Sequence, residues 1–168
     1  EYGAATKCYQ TAALTGNRYT LSTEPTAQPT SGFSSTTCTA NSIDLTIPAP
    51  SAGADGYIVL QKSGSAPTGL PTDANSYSVS NTIGDATVAA IVTSAGTYTI
   101  TGLSAGTNYY FQLVPYNANS GAVAQTYNYL TGGTLLQTNF STLVTGTSTA
   151  STVETDATYS YTQNIAYA

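Results

Sequence analysis

Histidine, tryptophan and methionine are all missing from this chain of 168 residues, and cysteine occurs only twice. Without His there is no imidazole acid or base, no Ser-His-Asp triad and no mixed Cys/His zinc site. Charge is scarce as well: 7% of residues are ionic, with Lys+Arg 3 against Asp+Glu 8 and a formal net charge of −5. Three cations cannot form a stripe that neutralises phosphates, which argues against nucleic acid and against attachment to anionic lipid. Long apolar runs are also lacking. The longest resemble Tyr57-Ile58-Val59-Leu60, far below the roughly 20 residues of a spanning helix, so we expect neither membrane insertion nor a signal peptide. The lack of Met, even at position 1, leads us to expect a processed or internal piece of a longer product.

What is abundant is hydroxyl. The chain carries 32 Thr and 18 Ser, with 14 Tyr beside them, so its surface is built from hydroxyl groups where most proteins use ions. Two cysteines in so Thr-rich and Lys-poor a chain suit an oxidising, extracellular compartment. On spacing and compartment alone we expect Cys8 and Cys38 to pair, with two buried free thiols as the other reading.

Thr, Val, Ile and Tyr favour strands, and Gly, Pro and Asn/Asp/Ser clusters interrupt them at roughly eight- to twelve-residue intervals. No window has a helical period. Alternation is clear at Ile43, Leu45 and Ile47 around Asp44 and Thr46, and at Tyr109, Phe111 and Leu113 around Tyr110 and Gln112. We read strands near 30–38, 42–48, 56–63, 76–82, 86–92, 97–102, 107–116, 123–130 and 134–142. Turns fall at 52–56, 64–67, 104–106 and 117–121. Residues 1–25 are read as a flank and linker, and the stretch 22–29 as extended because Pro25 and Pro29 fix φ and remove two donors. Residues 26–143 form the sandwich, 144–158 a flexible Thr/Ser/Gly/Ala connector, and 159–168 a terminal strand.

The run Leu103-Ser104-Ala105-Gly106-Thr107-Asn108-Tyr109-Tyr110-Phe111-Gln112-Leu113 resembles the E–F corner of a fibronectin type III domain, with Ala105 in place of the usual Pro. Residues 42–47 resemble that family's B strand and residues 54–60 its C strand, Ile47 standing where a core Trp is usual. The resemblance implies an all-β, immunoglobulin-like sandwich with an insertion between strands C and E and extended terminal segments. It implies that Tyr109 is a structural corner, its hydroxyl bonded to backbone near Leu103 and Gly106. Residues 63–69 and 82–88 are similar to modules repeated in large secreted surface proteins of Bacteroidota-type bacteria, and Tyr159 to Tyr167 looks like the opening of a further module. That likeness implies a cell-surface location.

Chemistry has few places to reside. The eight carboxylates, Glu1, Glu24, Asp44, Asp55, Asp73, Asp85, Glu154 and Asp156, are scattered, whereas a glycosidase needs two facing each other. Asp73, Asn75 and Asp85 are the only group resembling a calcium set, and they equally suit turns. We therefore expect no catalysis, no cofactor and no metal. If Tyr57, Val59, Tyr109, Phe111 and Leu113 point into the sandwich, then Ile58, Leu60, Tyr110, Val114 and Tyr116 form an apolar patch on the other face. Either the chain's own insertion covers that patch or another molecule does, which makes these five candidate interface residues. Tyr159, Tyr161, Ile165 and Tyr167 lie on one face of the terminal strand and are candidates for exchange with a neighbour. The expected role is a non-enzymatic structural or adhesive module, partnered by copies of itself or by adjacent modules. The alternative is a glycan-binding accessory module using exposed tyrosines.

Overall fold

Successive side chains of a strand point to opposite faces, so the alternating segments of this chain each have one side to bury. The computed structural model describes residues 18–30, 32–50 and 53–146. Within them lie β1 (Ser34–Cys38), β2 (Ser42–Ile47), β3 (Gly56–Ser63), β4 (Thr82–Ile83), β5 (Ala86–Val92), β6 (Gly96–Thr101), β7 (Asn108–Asn117), β8 (Asn128–Tyr129) and β9 (Leu136–Ser141), with a 3-10 turn at Ala124–Thr126. All pairings are antiparallel. One sheet has the order β1-β2-β6, and the other runs β4-β5-β3-β7. The far edge of β7 is shared: β8 pairs at Tyr116 and Asn117, and β9 pairs along residues 108–113.

The two sheets close on one apolar core. Ile43, Leu45 and Ile47 of β2 meet Tyr57 and Val59 of β3, Phe111 and Leu113 of β7, and Val92 of β5. Ile47 fills its place at 1% exposure. The fold is thus an antiparallel β-sandwich.

The sheet centred on β3 and β7 is buried on its other face too. Ile58, Leu60, Val114 and Tyr116 are 1%, 0%, 0% and 5% exposed. Ile83, Ala86 and Val88 cover them from one side and Tyr129 from the other, with Tyr77, Tyr127 and Leu135 packed around. These four residues are therefore core: of the two covers that the sequence left open it is the chain's own that is found, and their place among the candidate interface residues is corrected. Each fully buried aliphatic side chain contributes about 1.5–3 kcal/mol, and the chain itself supplies the cover. Tyr110 is half-buried.

Three segments differ from the sequence reading. Residues 76–82 contribute only Thr82 to a strand. Ser80 takes a φ of 74°, and Asn81 closes a turn by accepting Ser78 N–H through Oδ1 (2.8 Å) and donating its own N–H to Ser78 O (3.0 Å). Residues 123–130 contain a 3-10 turn and a two-residue strand, because the Asn119 carboxamide captures Val123 N–H (3.1 Å) and Thr126 Oγ1 (3.2 Å). The stretch 22–29 bends at Thr26 and Ala27 and is no free linker. Ser22 N–H donates to Thr126 O (2.8 Å), Gln28 Nε2 donates to Leu130 O (2.9 Å), and Pro25 and Pro29 are buried.

The connection from β3 to β4 is folded by one carboxylate. Asp85 accepts hydrogen bonds from Thr68 N–H (2.9 Å), Gly69 N–H (2.8 Å) and Thr68 Oγ1 (2.8 Å), and pairs with Lys62 Nζ at 2.7 Å. Gly69 is required there: a side chain would run into the backbone of Ile83 and Gly84.

Candidate functional site

The two ends of β7 carry the features that bear on function. At its beginning lies the corner. Gly106 turns the chain with a φ of 61°, and the Tyr109 hydroxyl accepts the N–H of Ser104 at 2.9 Å. Leu103 is buried beside it, while Tyr109 itself is half-buried against the core. Thr142 completes the corner from the other side of the sheet edge, accepting Thr107 N–H (2.9 Å) and donating to Ser104 O (2.6 Å). The chain leaves the sandwich here, with Gly106 N–H donating to Leu143 O (3.0 Å) and Val144 78% exposed.

At the far end of β7 the chain arrives. Asn117 Nδ2 donates to Thr23 O (2.8 Å) and to Gly53 O (2.8 Å), while its Oδ1 accepts Asp55 N–H (2.7 Å). Asp55 Oδ2 in turn accepts Ala118 N–H (3.0 Å). One asparagine thus ties the incoming segment to two turns.

Beside this knot is an open groove of about 360 Å³, lined by Asp55, Thr93, Tyr116, Ser120, Ala122 and Tyr127, among others. Its wall is the edge of an aromatic cluster. Tyr116 and Tyr127 stack with centroids 5.2 Å apart, and Tyr129 lies 5.9 Å from each. Tyr129 is fixed by its hydroxyl, which donates to Asn75 O (2.8 Å), and by its N–H, which donates to Asp73 Oδ1 (2.8 Å). Burial pushes the Tyr116 phenol up to about 12, helped by the neighbouring Tyr127 and Asp55, and burial pushes Tyr129 up further. On the rim, Ala122 has a φ of 48°, a left-handed conformation that a residue with a Cβ rarely adopts.

The remaining candidates separate. Asp73 and Asp85 hold different loops, Asp73 under β8 and Asp85 under residues 68–69, and Asn75 bonds back to Asp73 O (3.1 Å). Lys62, backbone N–H groups and Thr68 hold the Asp85 carboxyl well below the usual carboxylate range. Among the described residues no cluster of three or more His, Cys, Asp or Glu side chains converges. Cys38 is half-buried with Sγ 3.2 Å from Ser35 Oγ. Cys8 lies outside the described residues, and so do Tyr159, Tyr161, Ile165 and Tyr167. Sequence reasoning passed over the groove because Asp55 and Asn119 look like ordinary turn residues. The available signal was Tyr127 and Tyr129, two apart beside a loop of Asn, Ser and Gly.

No protein-family model and no curated protein sequence matches this chain.

Proposed function

We propose that this chain is an extracellular, non-enzymatic spacer module that works in a serial array or filament at a bacterial cell surface. The observation that carries the reading is where the chain enters and leaves the sandwich. It arrives at Thr23, bonded to the Asn117 end of β7, and departs at Leu143, bonded beside the Asn108 end. The ten residues of β7 separate these points, which is about 30 Å at ~3.3 Å per residue. Modules with chain at opposite ends can be strung head to tail, and tension then runs along the strands.

The resemblance to fibronectin type III is supported by the pairing of β1, β2 and β6 opposite β5, β3, β7 and β9, and by the Tyr109–Ser104 bond at the corner. On that reading residues 64–95, β4 and β5 included, hold the insertion between strands C and E. A surface rich in hydroxyl and poor in charge fits prolonged exposure outside the cell, where a Cys8–Cys38 bond would add a staple. We expect copies of the chain, or adjacent modules of the same protein, as its partners, and surface glycans as the further class.

Negative-stain microscopy of the native material tests the role. Fibres or regularly spaced beads are the expected result. Dispersed particles that bind polysaccharide would replace the spacer reading with that of an accessory module.

A further inference from the structure

The spacer role leaves the groove at the Asn117 end unused, yet three observations mark it as built. Tyr116 is 5% exposed, and its hydroxyl makes no hydrogen bond within the described residues although the residue lines the groove. A phenol so placed has its ring in the core and its hydroxyl at the groove, where it can bond a ligand in place of water. The Tyr127 hydroxyl, on the same wall, also makes no such bond. Finally, the rim is held rigidly. Ala122 sits at a φ of 48° because its N–H donates to Asn119 O (2.8 Å), and Asn119 N–H donates to Thr126 Oγ1 (3.1 Å). Backbone in such a conformation persists only where surrounding structure enforces it, and it concentrates at functional sites.

The lining specifies the ligand's chemistry. Two phenols and the Ser120 and Thr93 hydroxyls can both donate and accept, Asp55 accepts only, and Ala118 and Ala122 offer methyl groups. A carboxylate at the mouth of a site in a chain of net charge −5 disfavours anions. What alternates hydroxyl groups with C–H patches, carries no charge and suits a groove of this volume is a sugar ring. We propose that this groove binds one neutral sugar residue of a polysaccharide, the Tyr116 and Tyr127 hydroxyls and the Asp55 carboxylate hydrogen-bonding its ring hydroxyls. The inference goes beyond the spacer reading and does not rest on it: a spacer without this site, or this site on a chain that never forms fibres, are both distinguishable outcomes.

Isothermal titration calorimetry of the full chain tests it, using cellohexaose, xylohexaose, mannohexaose and laminarihexaose, with hexagalacturonate as the anionic control. Saturable binding of at least one neutral hexasaccharide is expected, and none of hexagalacturonate. Tyr116→Phe keeps the ring and the packing while removing one hydroxyl, and should weaken that binding about tenfold with unchanged circular dichroism. Tyr127→Ala, which removes half of the wall, should weaken it at least as much if it folds. Lack of binding by all four neutral sugars at millimolar concentration overturns the proposal. So does binding that Tyr116→Phe leaves unaltered, or binding of hexagalacturonate alone.

Discussion

Single side chains in this protein do the work that ion pairs do elsewhere. Among the described residues the structure has one salt bridge, Lys62 to Asp85, and its turns are closed by hydrogen bonds from backbone to neutral and carboxylate side chains. Tyr109 is the clearest case, because its hydroxyl is bonded while only part of its ring is packed. Tyr109→Phe removes that bond alone and should cost about 1 kcal/mol in chemical denaturation. Tyr109→Ala also opens the packing and should cost about 3 kcal/mol, the low end for a truncated aromatic because the ring is half-buried. A Tyr109→Phe variant as stable as the parent would contradict a bonded hydroxyl, and equal stability of both variants and the parent would refute the corner. The tyrosines of the outer cluster give a pH signature. Tyr116, raised to about 12, and Tyr129, raised beyond it, are both held neutral by burial. A folded pKa above the unfolded value of ~10 means that the stabilisation is intact below about pH 10 and is lost as pH climbs through the folded value. The ultraviolet phenolate signal should therefore contain a late component that coincides with alkaline unfolding, and Tyr116→Phe should diminish it. An unchanged late component in that variant would show that another phenol is responsible.

At the scale of elements, legibility tracks how the backbone is satisfied. The inward set of β3 and β7, Tyr57, Val59, Phe111 and Leu113, can be read from alternation because a ladder leaves no other geometry open. The same alternation places Ile58, Leu60, Val114 and Tyr116 together on the other face, but it cannot say what covers them. The cover comes from Tyr77, Tyr127 and Tyr129, in segments whose apolar residues also alternate and so imitate strands at 76–82 and 123–130. What breaks those would-be strands is a side chain bonding to nearby backbone, Asn81 in one and Asn119 in the other, and an asparagine that caps a turn reads in sequence like one facing solvent. The groove is hidden for the same reason. Covered from within, the outer face should behave as core. Ile58→Asp places an unpaired carboxylate at a site 1% exposed, and should lower stability by about 3 kcal/mol or more in the isolated chain. A variant that keeps its melting temperature and loses only self-association would restore the patch to the role of an interface.

Across the whole molecule, the bonds that close the sandwich lie between Phe33 and Thr142, and the segment before β1 is fastened over residues 117–132. If Cys8 bonds to Cys38 as we propose, intact mass should change by two hydrogens on reduction. In a chain-entropy account such a loop is worth roughly 3 kcal/mol, whereas two thiols in native protein would remove the staple. The other flank carries Tyr159, Tyr161, Ile165 and Tyr167 on one face of an alternating run. Among the described residues β1 and β6 are both edges of the three-stranded sheet, and an edge presents unpaired N–H and C=O groups to any strand that arrives. Addition of residues 159–167 to an edge in a neighbouring copy satisfies both backbones and needs no charge, which suits a chain with three cations. On that proposal residues 144–158 would supply the reach, at most ~50 Å when extended. Deleting residues 154–168 should accordingly leave the melting temperature of the sandwich unaltered while abolishing assembly in light scattering. Assembly that survives the deletion would make the segment the opening of a following module and move the junction to the docked flank at Ser22 and Thr23.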